Sequence, residues 1–254
     1  MAQSPRWAAG QGGRGMSSSI LPLRARNLRY VVEGKTLIDD ISLSIHPGTF
    51  NVVLGPNGAG KSLLLRLLHG LLDPTSGTVY WMNSGNGDLR RRQAMVFQRP
   101  VLLRRSVEAN VAFALKSLSI PRAEHARLID EALDRSGLTA SRRVPARLLS
   151  VGEQQRLAVA RALAGGPDVI FLDEPTASLD PASVQRIEGL LLKANRNGTA
   201  IVLVTHDIGQ ARRLAREILF VHRGRLIERR PAEEFFNWQD ADVARAYLEG
   251  NIVV

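Results

Sequence analysis

Residues 55–62 read GPNGAGKS, with the apolar run FNVVL before them and a leucine-rich stretch behind. A glycine-rich loop between a strand and a helix suits one ligand chemistry. The glycines let the backbone curl, so that successive N–H groups point inward at a phosphate chain. Lys61 supplies a point charge for the terminal phosphates, and the Ser62 hydroxyl suits Mg2+. The candidate binding set is therefore Gly55, Asn57, Gly58, Ala59, Gly60, Lys61 and Ser62. Further on, VIFLDEP (169–175) puts Asp173 and Glu174 just past an apolar strand. In an open α/β sheet that end is where ligands sit. Asp173 can hold Mg2+ through water, and Glu174 can take a proton from an attacking water. His206 follows the strand AIVLV, and Gln98 ends the strand AMVF. A lone histidine is most often a surface or helix-capping residue. Gln98, an uncharged donor and acceptor, could touch both water and metal. Four strands each delivering a polar group to one rim are hard to explain by packing alone.

A second anion-seeking feature lies at 148–162, LLSVGEQQRLAVARA. Ser150 followed three residues later by Glu153, ahead of an apolar-rich run, is a capping box. It starts a helix whose N-terminus can attract an anion.

The elements that must position these residues can be read from pattern. Residues 23–32 and 36–45 read as strands around the turn EGK, and 50–54 as a short buried strand. A helix is expected over 61–69 with Gly70 as its stop, then a strand at 94–97. Helical patterns cover 106–117, 122–136 and 151–164. After them come strands at 168–172, 200–204 and 217–221 with helices at 181–195 and 208–216. Buried strands alternating with helices predict an α/β fold with a mainly parallel sheet. HRGR (222–225) reads as a tight hairpin to an edge strand, and 231–248 as two short helices. The domain expectation is a disordered extension at 1–19, with Met16 as an alternative start, a catalytic core at 20–230 with a helical insert near 99–165, and a tail at 231–254.

Composition narrows the classes. The chain has 254 residues, 44% of them hydrophobic and 23% charged, which is ordinary for a soluble globular protein and long enough for a full core. It has no cysteine, which removes disulfide frameworks and Cys-based metal sites and fits a reducing compartment. No run reaches the ~18 apolar residues of a membrane span. The formal net charge of +10 is compatible with nucleic acid or an anionic membrane surface. The arginines are spread along the chain, which favours a solvated surface instead.

Taken together, these residues resemble the ATP-binding subunit of ABC transporters, in the expected order from about residue 23 to 230. GPNGAGKS resembles the family's Walker A, VIFLDEP its Walker B, Gln98 its Q-loop and His206 its switch histidine. SLD (178–180) resembles the D-loop, with Asp180 at its end. LSVGE resembles the signature LSGGQ. Tyr30 falls where the family stacks an aromatic on adenine, although a core aromatic on a strand fits it nearly as well. The fold implied is a P-loop NTPase core with an N-terminal antiparallel β-subdomain and an inserted α-helical subdomain. The cofactors implied are ATP and Mg2+, the latter through Ser62, Gln98 and Asp173, with catalysis by Glu174, His206 and Gln98.

The resemblance also answers why two anion sites exist. In the family, two cassettes meet head to tail and each ATP is shared between them. Ser150 and the Gly152 N–H would then reach ATP in trans, in a homodimer or a paired cassette. Two positions depart from the signature. Glu153 replaces Gln, which the capping box rationalises. Val151 replaces a glycine, which predicts an intact helix start and altered ATP closure. The implied partners are integral membrane permease subunits and, through them, a periplasmic or extracellular solute-binding protein. The implied location is cytoplasmic, on the inner face of the membrane. MVFQRPVLLRRSVEANVAF is most similar to cassettes serving tungstate, molybdate or phosphate, with tungstate preferred. The exposed apolar run VLL (101–103) suits the permease contact. The alternative is a soluble ABC-type ATPase acting on nucleic acid or an assembly process. The single cassette, without coiled-coil insertion or zinc motif, argues against it, and no direct nucleic-acid contact is expected.

Overall fold

The computed structural model describes residues 19–82, 89–237 and 242–251. The expectations placed on residues 1–18, an unstructured extension and a start at Met16, lie outside them. Strands β1 (Leu23–Val32) and β2 (Lys35–Ile45) form a hairpin. Its two turn residues, Glu33 and Gly34, both take positive φ, 48° and 78°. That is the turn geometry whose twist matches antiparallel strands. Strand β3 (Phe50–Leu54) leads into helix α1 (Lys61–His69), and β4 (Ser76–Trp81) returns to pair with β1. The first sheet runs β2-β1-β4, all antiparallel.

The second sheet is built from β3, β5 (Gln93–Val96), β6 (Val169–Asp173), β7 (Ala200–Val204), β8 (Glu217–His222) and β9 (Arg225–Pro231). Its order is β5-β6-β7-β3-β8-β9, parallel throughout except for β9. Every residue of β3, β6 and β7 is buried. Side chains alternate across a strand, so both faces of such a strand must be apolar. In β6, Ile170 and Leu172 join one core cluster while Val169 and Phe171 join the other. The parallel direction brings the C-terminal ends of β3, β5, β6 and β7 to one edge. The glycine-rich loop, Gln98, Glu174 and His206 all follow those ends.

Between β5 and β6 run α2 (Val107–Ser117), α3 (Arg122–Ser136) and α4 (Val151–Leu163). Helix α4 belongs to two cores. Its Leu157 and Ala160 pack with Val111 and Leu133 of the insert, and its Ala158, Val159 and Leu163 pack on the sheet. Helices α5 (Pro181–Arg196) and α6 (Ile208–Leu214) complete the crossovers, and α7 (Ala232–Asn237) and α8 (Asp242–Leu248) follow β9.

Two elements differ from expectation. Strand β4 has no counterpart in the sequence reading. Its first half is exposed, and Gly77 sits at a φ of 86°, so it lacks the apolar run that marked the others. Helix α6 stops at Leu214, not 216. Ala215 is already extended, and the Arg216 N–H donates to the Phe50 carbonyl at 2.9 Å to start β8.

Candidate functional site

The loop after β3 cannot be built without glycine at two points. Gly55 has a φ of 145°, and a Cβ there would lie 2.0 Å from the Val221 carbonyl oxygen. Gly60, the residue before α1, has a φ of 99°, and its Cβ would press on Ile38 at 2.8 Å. The backbone can therefore run tightly between β8 and the first sheet only with side chains removed. Tyr30 pairs with that same Ile38 across β1 and β2. It is half-buried against the first sheet's core, one neighbour away from the loop, and lines neither cavity at the loop.

Lys61 opens α1 and is only 6% exposed. Its Nζ donates to the Gly55 and Pro56 carbonyls at 2.7 and 2.8 Å. Burial pushes the ammonium pKa down, while the Glu174 and Asp173 carboxylates push it back up. A phosphate at the loop adds negative charge to the same side of that balance and stabilises the buried cation.

Ser62 Oγ donates to Asp173 Oδ1 at 2.7 Å, joining the loop to the end of β6. A hydroxyl and a carboxylate in contact are hard oxygen donors of the kind Mg2+ takes. Mg2+ usually needs only one or two protein groups, with phosphate oxygens and waters for the rest. Among the described residues, no group of three or more His, Asp or Glu side chains could hold a metal by itself.

Glu174 follows β6 in a left-handed conformation, φ 46°, with its N–H donating to the Val204 carbonyl at 3.0 Å. Two side chains meet on one of its oxygens. Gln98 Nε2 donates to Oε2 at 3.2 Å, and His206 Nδ1 lies 3.3 Å from the same atom. Strands β5, β6 and β7 thus bring Gln98, Glu174 and His206 to one point.

The capping box of α4 is formed. Ser150 Oγ accepts from the Glu153 N–H at 3.3 Å, and Glu153 Oε2 accepts from the Ser150 N–H at 2.9 Å. The Ser150 hydroxyl also donates to Glu153 Oε2, at 2.8 Å, and this bond, with the one from the Ser150 N–H, lowers the Glu153 pKa. Val151 is the first helical residue, has no positive φ and is 66% exposed. The departure from glycine therefore leaves the helix start intact. Gly152 has a different reason to be glycine. A Cβ there would lie 2.4 Å from Ser183 Oγ in α5. Asp180 caps α5 by accepting from the Ser183 N–H at 2.9 Å, so Gly152 and Asp180 are tied through one serine. Gly152→Ala is expected to lower stability by about 1–3 kcal/mol. Adding Ser183→Ala removes the clashing oxygen and should recover part of the loss in a thermal melt.

Ser150, Val151 and Gly152 line neither of the cavities at the loop, of about 240 and 570 Å³. Within one protomer the two anion-seeking ends are separate. The family described as ABC transporter matches residues 38–177, which include the loop, Gln98, the capping box and the Asp173–Glu174 pair. The chain belongs to the ABC transporter family. Relatives span nearly its whole length. It is 36% identical to a probable anion import ATP-binding protein of Haloferax volcanii, over 94% of this chain and 90% of that one. It is 38% identical to the tungstate uptake system ATP-binding protein TupC of Peptoclostridium acidaminophilum, over 85% and 100%. Among solved structures, cbiO1 of Clostridium perfringens, part of an ABC transporter complex, matches with a TM-score of 0.76 at 31% identity, covering 89% of this chain and 94% of that one. A dimeric ATP-binding cassette in a post-hydrolysis state with ADP and Pi matches with a TM-score of 0.74 at 30% identity, covering 83% and 98%.

This ABC cassette is an ATP hydrolase of the transport type. Its sequence reading missed two contributors. Ser183, which ties the signature end to Asp180, carries no motif. Tyr247 of α8 lines the larger cavity beside Gln98, Glu174 and His206, and nothing in a short tail helix points there.

Proposed function

We propose that this cassette drives import of a small inorganic oxyanion, with tungstate the preferred solute. It would do so as a homodimer or paired cassette, on the inner face of a membrane that holds its permease. Residues 20–230 form the cassette proper in this reading, with the insert near 99–165 and a tail from 231. The observation that carries the ATP-hydrolysing part of this reading is the meeting of Gln98 and His206 on one Glu174 oxygen beside the phosphate loop. Glu174 takes the proton of the attacking water, and His206 and Gln98 hold its carboxylate in place. Lys61 and the loop N–H groups hold the phosphates. Ser62 and Asp173 would hold Mg2+, with Gln98 beside them. The ion, when bound, neutralises charge on the terminal phosphates. Tyr30 stacks on adenine. Ser150 and the Gly152 N–H of one protomer complete the γ-phosphate contact on its partner, and Asp180 steadies that end.

No helix among the described residues is long and apolar enough to cross a membrane. A cavity of about 390 Å³ between the parallel sheet and the helical insert supports permease docking. Phe97, Val101, Leu103 and Phe113 line it, and Val101 is 70% exposed. An open apolar groove of this kind fits a helix laid into it. The oxyanion reading is supported by the anion and tungstate relatives and by a phosphate import ATP-binding protein of Natronomonas pharaonis, 36% identical. A methionine import ATP-binding protein of Caulobacter vibrioides is similar at 38%, so the test must include that solute.

In vesicles carrying the cassette, permease and binding protein, tungstate is expected to stimulate ATP turnover, with molybdate and phosphate weaker and methionine without effect. Stimulation by methionine alone would replace the solute. In the same system Val101→Glu is expected to weaken permease co-purification by about tenfold or more, while ATP turnover of the isolated cassette is unchanged.

A further inference from the structure

Between β6 and α5 the chain makes a tight turn with Glu174 at its head. The Ala177 N–H donates to the Glu174 carbonyl at 3.2 Å, and the Leu179 N–H to the Thr176 carbonyl at 3.3 Å. Two residues of this turn that are not glycine, Glu174 and Ser178, take positive φ, 46° and 62°. Such conformations carry strain and persist only where neighbouring structure holds them. Thr176 lies midway between the two. Its hydroxyl is held from another element.

That element is α6, which begins two residues after His206. Gln210, its third residue, is 1% exposed. A buried amide must find partners for two N–H groups and an oxygen. Gln210 finds them off its own helix. Thr176 Oγ1 accepts from Nε2 at 3.0 Å and donates to Oε1 at 3.2 Å. Nε2 also donates to Glu188 Oε1 on α5, at 3.1 Å. Glu188 is itself buried, and Arg213 neutralises it, donating from Nη2 to Oε1 at 2.7 Å and from Nε to Oε2 at 3.2 Å. The amide thus rests on a fixed ion pair and reaches the turn from there.

The path back to the site is short. The Gln210 N–H donates to Asp207 Oδ1 at 2.9 Å, and the Asp207 N–H donates to Thr205 Oγ1 at 3.1 Å. The residues on either side of His206 are therefore held. His206 Nδ1 lies 3.3 Å from Glu174 Oε2. Glu174, Thr176, Gln210, Asp207 and His206 form a closed ring. The imidazole and the carboxylate meet on one side of it, and Gln210 closes the other.

We propose that Gln210 is a positioning residue for hydrolysis: its amide, braced on Glu188, pins through Thr176 the turn that carries Glu174, and so sets that carboxylate against His206. Gln210 lines neither cavity at the phosphate loop, so it acts through Glu174 and does not itself hold ATP. The proposal rests on the reading of Glu174 as the base.

The test measures kcat per ATP-binding site, and KM, in the full chain for Gln210→Leu, Thr176→Val, the two combined, and Glu174→Gln. Leucine is close to glutamine in size and cannot bond Thr176. Glu188 keeps Arg213, so no buried charge is stranded. Valine keeps the shape of threonine and lacks the hydroxyl. Each single variant is expected to lower kcat about tenfold, given that a misplacement of about 1 Å costs about a hundredfold. KM for ATP should not change, because the phosphate loop is untouched. The combined variant should lose no more than the larger single loss, since both delete one link. Exchanging the groups, Gln210→Glu with Glu188→Gln, keeps an acceptor for Thr176, an amide–carboxylate bond and a partner for Arg213. It should recover most of the kcat lost in Gln210→Leu. A packing role alone would lower the thermal midpoint and leave kcat per site unchanged. A wild-type kcat in Gln210→Leu, losses that multiply in the combined variant, or an exchange variant as slow as Gln210→Leu overturns the proposal. Thr176→Val, at the half-buried end of the link, decides the same question where Gln210→Leu does not fold. If Glu174→Gln itself turns over normally, the base assignment fails and Gln210 with it. An inactive Glu174→Gln beside a wild-type-like Gln210→Leu removes the glutamine alone.

Discussion

Glu174→Gln is expected to lower ATP turnover by roughly 10²–10⁴-fold, the contribution of a positioned general base, while ATP binding is retained. Gln matches Glu in size and carries an oxygen that can still accept from Gln98 Nε2, now at 3.2 Å. The left-handed backbone at φ 46° is set by the turn out of β6 and by the bond to the Val204 carbonyl, neither of which uses the carboxylate. What is lost is the ability to take a proton. The charge change also acts on binding. Glu174 is the first of the two carboxylates that hold up the Lys61 pKa, and it lines the cavity at the phosphate loop. Removing one negative charge there weakens repulsion of the γ-phosphate. ATP should bind at least as tightly, and a dimer closed around it should persist because hydrolysis no longer opens it. Size-exclusion chromatography with ATP reads the dimer, and phosphate release reads turnover. Normal phosphate release would take the base role from Glu174.

The parts of this molecule that could be read in advance share one property: each lies in a contiguous stretch whose local physics fixes its shape. The phosphate loop is legible because Gly55 and Gly60 answer to backbone requirements within a few residues of Lys61 and Ser62. The capping box is legible because its two bonds close over three residues. β3, β6 and β7 are legible because burial on both faces leaves continuous apolar runs. What escaped depends on partners far along the chain. Strand β4 is an edge strand, defined by pairing with β1 more than by its own pattern. Gly152 was assigned to nucleotide contact through its N–H, yet its lack of a side chain is also set by Ser183, a residue on another helix. Tyr247 reaches the site only because Phe220, Phe235 and the tail pack together. Short tail helices give no such signal, since α8 spans only Asp242–Leu248.

Mixing two inactive variants should restore activity, and this is the sharpest consequence of the proposal that each ATP is shared between two protomers. Lys61→Ala removes the buried ammonium that closes the mouth of the loop, so each of its homodimers lacks both phosphate cradles. Ser150→Phe spoils the other half. It deletes the N-cap oxygen, at a cost of about 1 kcal/mol that the helix can bear through its packing on two cores, and it puts bulk on the exposed start of α4. Neither variant alone should turn over ATP. In a mixed dimer, the intact loop of the Ser150→Phe protomer faces the intact α4 start of the Lys61→Ala protomer, and one of the two sites is whole. Random pairing at equal concentrations makes half of the dimers mixed, so turnover should return to about a quarter of the wild-type value. The reason lies in the placement of the signature end. Ser150, Val151 and Gly152 line neither cavity around the phosphate loop of their own protomer. The rigid route from α4 through Ser183 to the Asp180 cap holds that end in place. An α4 start that served its own loop would give no recovery at any mixing ratio, and that result would return both anion sites to a single chain.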